Sequence, residues 1–225
     1  MGQFEDIIID DGRTMDDDKG NNYIVFVIDH SGSMVSCKDL ALSNFNEKIN
    51  EIKIDKTDLN NLVTIIEFDH KIRVVYENEL IENIEPLEDF WIGGSTALLD
   101  AVGTAIMKVK DKIRTDKNDA ALIIVLTDGK ENASIDFNKY RVDELTKEIE
   151  DTDACTVVFL GGNIDVQSAG WSGASGMKAM SGYNFDNYDA QSYNKMSRTF
   201  NDGYKKWSTL RSKGTKVVSN FMEGG

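Results

Sequence analysis

Two stretches of the sequence are apolar or aromatic at every position. They are Tyr23–Ile28 and "ALIIVL" at 121–126. An unbroken run of this length is typical of a strand that is buried on both faces of a parallel sheet. We expect a further buried strand at "TVVFL", 156–160, and a last, short edge strand around Met177–Met180.

Between these runs, apolar residues recur at intervals of three and four, which predicts amphipathic helices with one buried face. The first helix is defined by Leu42, Phe45, Ile49 and Ile52, and the second by Val102, Ile106, Val109 and Ile113. Leu145 and Ile149 define the third helix. A long C-terminal helix is defined by Tyr193, Met196, Phe200, Tyr204 and Trp207. The single proline of the chain, Pro86, lies outside all four, so it interrupts none of them.

One pair of predicted strands is too close in sequence for a crossover helix. Val63–Phe68 and Ile72–Tyr76 are separated only by Asp69, His70 and Lys71. This spacing predicts a hairpin, and therefore one antiparallel strand at the edge of the sheet. Elsewhere strands and helices alternate, so we expect a doubly wound α/β fold with a mostly parallel central sheet and helices on both faces.

Domain organisation follows from the same pattern. We expect one domain over residues 21–213, preceded by an acidic, flexible N-terminal tail at 1–20 and followed by a short C-terminal tail at 214–225. The chain of 225 residues is long enough for one large core. We expect the protein to be a monomer.

Charge and hydropathy narrow the classes of partner. The formal net charge is −14, and acidic residues dominate the first twenty positions, so the chain should repel nucleic-acid phosphates. No apolar run approaches the roughly 18–20 residues that a membrane helix needs, and the N-terminus does not resemble a signal peptide. We therefore expect a cytoplasmic protein in which Cys37 and Cys155 are free, largely buried thiols.

Three groups of polar residues, each with side-chain oxygens that could bind a metal, lie where a predicted strand ends or where a predicted helix begins. The first group is Asp29-His30-Ser31-Gly32-Ser33, the second is "GGSTALLDA" at 93–101 with Thr96, and the third is "LTDGKEN" at 126–132 with Asp128. Loops at the carboxyl ends of the strands are where ligands bind in such sheets. Two carboxylates and three hydroxyls suit a hard cation such as Mg²⁺.

Each loop also has a purely structural interpretation. Ser31 or Ser33 would cap the helix that follows, and Thr96 would cap the next one. Asp128-Gly129 alone is a common turn. These alternatives do not explain why Asp29 ends a buried strand, or why three such loops occur together.

The five residues resemble the metal-ion-dependent adhesion site of von Willebrand factor A domains. That site is an Asp-x-Ser-x-Ser sequence, here Asp29, Ser31 and Ser33, with a threonine and an aspartate from two later loops, here Thr96 and Asp128. The order of strands and helices also agrees with the family over nearly the whole domain. "FLGGNIDVQSAGWSGAS" at 159–175 is similar to the corresponding segment of intracellular bacterial and phage members.

The resemblance implies a role for each residue and a function for the chain. Ser31, Ser33 and Thr96 would contact a divalent cation directly, whereas Asp29 and Asp128 would act mostly through water. The cation would be Mg²⁺, Mn²⁺ or Ca²⁺, and its open position would take an Asp or Glu side chain from a partner protein. The implied function is a metal-dependent protein-binding module, not an enzyme.

Two other functions remain open at this point. One is a structural or assembly protein of a phage or large complex, in which the metal only holds the loops together. The other is a metal-dependent phosphotransfer enzyme, although Ser31 stands where the haloacid-dehalogenase pattern has a second aspartate, and no Gly-x-x-x-x-Gly-Lys loop is present.

The sequence also suggests an environment for several residues close to these five. We expect His30 to be a solvated loop residue and His70 to be exposed in its turn. Phe90 and Trp91 are expected in the core or at the rim of the partner surface. Asp100 is expected either on a helix surface or in hydrogen bonds around the site.

Overall fold

The computed structural model describes residues 19–114, 116–164, 180–186 and 188–222. In this part of the chain a six-stranded sheet has the order β3-β2-β1-β4-β5-β6. All neighbours are parallel except β3, which pairs antiparallel with β2 at one edge. The strands are β1 Asn21–Asp29, β2 Asn60–Phe68, β3 Ile72–Leu80, β4 Ala120–Thr127, β5 Cys155–Gly162 and β6 Met180–Phe185. The predicted fold class is confirmed, including the antiparallel edge strand.

Within the described ranges four α-helices cover the sheet, and each predicted apolar face lies on one of them. They are α1 Lys38–Ile54, α2 Leu98–Lys110, α3 Lys139–Glu150 and α4 Ala190–Ser212. The second helix ends before Ile113, which is nevertheless buried in the core. The last predicted strand begins at Met180, and residues 165–179, which include most of the segment similar to bacterial and phage members, lie outside the described residues.

The two faces of the sheet carry separate halves of the core. Tyr23, Val25 and Val27 of β1 pack with α2 and α3, whereas the alternating residues Ile24 and Phe26 pack with α1 and α4. Successive side chains of a strand point to opposite faces, so an unbroken apolar run buries both. This is why the strands show no alternation in the sequence.

The chain continues to pack on the sheet after the boundary that we placed at residue 213. Val218 and Phe221 are buried, and the Phe221 ring lies 5.5 Å from that of Phe200 in α4. The backbone N–H of Val218 donates a 3.0 Å hydrogen bond to Oγ1 of Thr156 in β5. Packed structure therefore extends to Met222, while residues 1–18 of the proposed N-terminal tail lie outside the described part.

The amino-terminal edge of the sheet contains an ion pair between a half-buried arginine and a buried aspartate. Nε of Arg114 lies 2.7 Å from Oδ2 of Asp119, which is fully buried, and the N–H of Asn21 donates to the other oxygen at 2.8 Å. Burial alone would raise the pKa of Asp119, but hydrogen bonds from Arg114 and Asn21 outweigh it and hold the pKa below its usual value. This pair fixes the start of β1 far from the carboxyl edge of the sheet.

The two cysteines are buried free thiols, as predicted. Burial raises the pKa of Cys155 to about 12. No helix in the described ranges is both long and apolar enough to cross a bilayer.

Candidate functional site

The carboxyl edge of the sheet brings the three polar loops together. Asp29 is the last residue of β1, and Asp128 directly follows β4. The two strands are parallel neighbours, with Ile28 paired to Leu126. The two carboxylates therefore leave adjacent strands at the same edge.

A chain of hydrogen bonds joins four of the five predicted site residues. Oδ1 of Asp29 accepts a 2.7 Å bond from the backbone N–H of Ser31. The hydroxyls of Ser31 and Ser33 lie 3.1 Å apart, and the Ser33 hydroxyl donates to Oδ1 of Asp128. Three side-chain oxygens from one tight loop and one from its neighbour thus lie side by side.

Gly129 brings the fifth residue, Thr96, to the same place. A Cβ atom at position 129 would lie only 2.5 Å from Oγ1 of Thr96 and 3.2 Å from Oδ2 of Asp29. The Thr96 hydroxyl and the Asp29 carboxylate therefore both lie within 3.2 Å of one point, which only a glycine leaves free. The structure brings all five predicted residues together.

Backbone hydrogen bonds hold the glycine loop against the first loop. The N–H of Gly93 donates to the carbonyl of His30 at 2.9 Å, and the N–H of Gly32 donates to the carbonyl of Gly94 at 3.3 Å. Gly94 itself has a φ of 68°, a conformation that favours glycine. The position of Thr96 thus depends on the loop after β1 as well as on its own helix.

Helix capping does not explain these hydroxyls. Ser31 occupies the cap position of a short 3₁₀ helix, Gly32–Ser36, without a side-chain capping bond. The cap position of α2 is Ala97, one residue after Thr96. Glu131 supplies the cap instead, because its Oε2 accepts from the N–H of Leu99 at 2.9 Å.

The electrostatics of the site favour a cation. The pKa of Asp29 is raised to about 6, because burial and, to a smaller extent, the charge of Asp128 raise it by more than the hydrogen bonds from Thr127 and Ser31 lower it. Two carboxylates that share a site repel each other unless a positive charge lies between them. Oxygen atoms of carboxylates and hydroxyls are the ligands of hard cations, so the donor set fits a divalent ion such as Mg²⁺. Within the described residues, no group of three or more His, Cys, Asp and Glu side chains could hold a metal, so a site here depends on the hydroxyls.

Two residues that hold the candidate site residues in place were not predicted from the sequence. Oγ1 of Thr127 donates to Oδ2 of Asp29 at 2.5 Å and accepts from the N–H of Gly129 at 3.0 Å. Asn132 pairs twice with Thr96: its Oδ1 accepts the Thr96 N–H at 2.8 Å, and its own N–H donates to the Thr96 carbonyl at 3.0 Å. A signal for Thr127 was present, since it is the polar residue that ends an otherwise apolar strand.

The expectation for His30 was wrong. The side chain is fully buried, with Nδ1 2.8 Å from the carbonyl of Trp91 and the ring 4.6 Å from that of Phe90. Nε2 lies 4.0 Å from Oε1 of the buried Glu67. The reason is that residues 90–93 fold over the first loop and enclose its second residue. Burial lowers the pKa of His30, and the charge of Glu67 opposes that shift.

The structure separates the roles of the remaining neighbours. Phe90 is fully buried and belongs to the core. Trp91 is half-buried, and its Nε1 donates to Oε2 of Glu67 at 3.3 Å. Asp100 is buried and accepts hydrogen bonds from the N–H groups of the three successive residues 135–137, at 2.8, 3.0 and 2.7 Å. It therefore shapes the loop after Asp128.

Comparisons with known proteins identify the fold. No family model matches the sequence, and no curated protein does. Proximal thread matrix protein 1 from the mussel byssus superposes with a TM-score of 0.55 at 17% identity, over 87% of this chain and 47% of that one. A von Willebrand factor type A protein from Catenulispora acidiphila gives 0.52 at 15% identity, over 87% and 43%.

A third structure agrees with these two. The ArnB paralog VWA2 from Sulfolobus acidocaldarius gives a TM-score of 0.52 at 20% identity, over 82% of this chain and 45% of that one. The chain spans less than half the length of each of the three. A further structure of the mussel protein has a zinc-occupied metal-ion-dependent adhesion site. The fold of this chain is therefore the von Willebrand factor A fold.

Proposed function

We propose that this chain is a metal-dependent protein-binding module. In this proposal Asp29, Ser31, Ser33, Thr96 and Asp128 hold a divalent cation, Mg²⁺ or alternatively Mn²⁺ or Ca²⁺. An Asp or Glu side chain of a partner protein completes the site. We further propose that the module is a monomer in the cytoplasm, in keeping with its two free thiols, and that it has no enzymatic activity.

One observation carries the proposal: hydroxyls from two loops and carboxylates from two strands converge on one edge of the sheet. The Ser33 hydroxyl bonds to Asp128, and the Thr96 hydroxyl and Asp29 carboxylate flank Gly129. Capping does not account for these hydroxyls. The zinc-occupied site in the structure of the mussel protein supports a divalent ion on this fold.

In this proposal the uncharged hydroxyls and the charged carboxylates have different roles at the cation. Ser31, Ser33 and Thr96 would contact the cation through uncharged hydroxyls, while Asp29 and Asp128 would hold those hydroxyls and the bound waters in position. A divalent cation that is bound mainly by neutral oxygens offers an attractive open position to a carboxylate from outside.

The burial of the site residues leaves one side open to a partner. Asp29, Ser31 and Thr96 are buried, whereas Ser33 is exposed and Asp128 is half-buried. Among the five residues, Ser33 and Asp128 are therefore the ones that an incoming carboxylate can reach from solvent. Since both the chain, with its charge of −14, and the proposed ligand are acidic, binding should depend on short-range contact more than on long-range attraction.

Affinity capture from the native cell with and without chelator tests the proposal. The bait is the wild-type chain in Mg²⁺, the same chain in EDTA, and Asp128→Ala. Asp202→Ala is the matched control, because it removes an exposed carboxylate from α4. We expect partners that bind the wild type and the control in Mg²⁺ and are lost in EDTA and in Asp128→Ala.

A partner that binds equally well in EDTA would overturn the proposal. In that case the assembly-protein interpretation, in which a metal only holds the loops together, would replace it. Replacing one acidic residue of the captured partner with Ala should have the same effect as the chelator.

A further inference from the structure

A groove lies beside the start of α2, close to the segment that carries Thr96. Its volume is about 410 Å³. One wall is the turn between β2 and β3, with His70, Lys71 and Ile72, and the other is the loop after β4, with Ile135 and Asp136. The buried carboxyl group of Asp100 lies between the two walls.

The groove begins next to Thr96. A Cβ atom on Gly94 would lie 2.3 Å from Nδ1 of His70 and 2.4 Å from Oδ2 of Asp69. The N–H of Ala97 donates to the carbonyl of Asp69 at 2.7 Å. The turn that forms one wall therefore contacts Gly94 and Ala97 in the segment that carries Thr96, so the groove lies beside that segment.

The far wall presents an apolar side chain on an ordered backbone. Ile135 is 87% exposed, yet its N–H and those of the next two residues are bound by the Asp100 carboxylate. The Asp100 N–H in turn donates to Oγ of Ser134 at 3.0 Å. Because the buried carboxylate fixes the backbone of Ile135, the exposed isoleucine side chain is already positioned for an apolar contact with a partner.

The near wall presents a positive charge in a protein whose net charge is −14. Lys71 is exposed, and its backbone, through the N–H and the carbonyl, hydrogen-bonds to Asp69 at 2.8 and 3.1 Å. Within the described residues no carboxylate forms an ion pair with its ammonium group. His70 beside it is half exposed and hydrogen-bonds to Asp69 at 2.6 Å. Asp136 on the opposite wall is exposed, so an incoming carboxylate would be directed to the Lys71 side.

We propose that this groove is the second half of the partner surface. It takes an extended segment of the partner that continues from the acidic residue at the metal, with an apolar side chain on Ile135 and a second carboxylate at Lys71. The occupant follows from the chemistry of the two walls, which carry an exposed isoleucine and a lysine that forms no ion pair with any carboxylate in the described part of the chain. This inference rests on the proposed function, and it adds a sequence preference on one side of the essential acid.

A peptide array with one fixed Asp and varied flanking residues tests the inference in Mg²⁺. The wild type should select an apolar and an acidic residue on one side of the Asp. Ile135→Ser should weaken the apolar preference by about fivefold to tenfold. Lys71→Glu should replace the acidic preference with a basic one. Both variants should still require the fixed Asp and bind Mn²⁺ as tightly as the wild type in calorimetric titrations.

Matched controls remove the same groups elsewhere. Ile54→Ser changes another exposed isoleucine, 76% exposed at the end of α1, and Lys205→Glu reverses an exposed charge on α4. Neither should alter the peptide preference. The readout is the flanking preference, which a loss of folding would not change selectively.

Three results would overturn the inference, and they are distinguishable. Mg²⁺-dependent binding of Asp peptides without a flanking preference, or with one that both groove variants retain, removes the groove and leaves the metal function intact. No Mg²⁺-dependent binding of any Asp peptide removes the proposed function and the groove together. A change of oligomeric state in Ile135→Ser, with peptide selection unchanged, would assign the groove to a second copy of the chain.

Discussion

The Thr127 hydroxyl donates a 2.5 Å hydrogen bond to Oδ2 of Asp29, from the last residue of β4 to the last residue of β1. The other carboxylate oxygen of Asp29 accepts from the Ser31 N–H at 2.7 Å. Both oxygens are thus held before any ligand arrives, and the second contact also fixes the backbone of Ser31. A buried carboxylate with both oxygens bonded can position neighbouring groups with little rearrangement.

Thr127→Val should weaken the site without unfolding the domain. Valine keeps the shape of the buried side chain but removes the donor, which leaves one oxygen of Asp29 without that partner at a cost of about 1–3 kcal/mol. We expect a lower free energy of unfolding in urea and weaker Mn²⁺ binding by calorimetry. Thr127→Ser is the control, since it retains the hydroxyl and should restore most of both; equal Mn²⁺ affinity in all three proteins would contradict the role given to Thr127.

Divalent metal should raise the melting temperature. Asp29 and Asp128 repel each other, and a cation between them relieves that repulsion. Binding stabilises the folded state by about 2.7 kcal/mol when free metal is about 100 times the dissociation constant, a rise of about 5–10 °C in Tm for a domain of this size. Thermal melts in EDTA, Mg²⁺ and Mn²⁺ measure it.

Two variants show whether that rise comes from the site. Asp128→Asn should reduce the metal-dependent shift, and Asp202→Asn, which changes an exposed carboxylate of α4, should not. A wild-type Tm that is the same in EDTA and in both metals would count against the site.

Thr96→Ala should lose metal affinity with little loss of stability. The cap position of α2 is Ala97, and Glu131 binds the free N–H of Leu99, so the Thr96 hydroxyl is not needed as a cap. We expect an urea midpoint close to that of the wild type and clearly weaker Mn²⁺ binding in calorimetry. Cys37→Ser is the control for a buried change outside the site and should bind Mn²⁺ normally. If Thr96→Ala binds as tightly as the wild type, the threonine has been misassigned.

Gly129→Ala should damage the site far more than Gly93→Ala. A Cβ at 129 would lie 2.5 Å from Oγ1 of Thr96, so the hydroxyl or the loop must move. At 93 no atom lies within 4 Å of the added Cβ. We expect Gly129→Ala to lose most of its Mn²⁺ affinity while Gly93→Ala retains it. Both variants add the same methyl group to a loop that contributes to the site, so similar affinities would mean that the space at 129 is not needed for metal.

The ion pair of Asp119 should make stability depend on pH. Its pKa is lowered in the folded state, so its contribution is fully present above the unfolded pKa of about 3.9 and is lost as the pH falls through the folded value. The difference in unfolding free energy between wild type and Asp119→Asn should be largest near neutral pH and shrink in acid. Urea titrations over this range measure it, with the exposed Asp116→Asn as control. A difference that stays constant with pH would exclude the ion pair as its source.

The fold was predictable from the sequence because it depends on local patterns. Unbroken apolar runs mark strands buried on both faces, and apolar residues at intervals of three and four mark helices with one buried face. The short spacing between Phe68 and Ile72 gives the antiparallel pair. The convergence of the five candidate residues was also predictable, since Asp29 ends β1, Asp128 follows β4, and the carboxyl ends of parallel strands meet at one edge.

The tertiary structure decided what lies around those residues. Thr127 and Asp29 are 98 positions apart in the chain, and no periodicity records which hydroxyl meets which carboxylate. His30 is polar and follows a strand, so the sequence favours an exposed residue, but the loop at 90–93 encloses it. Likewise, only packing shows that Phe221 lies against Phe200. Hydrophobic periodicity shows which side of a helix or strand faces the core. Contacts between distant loops depend on how whole helices and strands pack against each other.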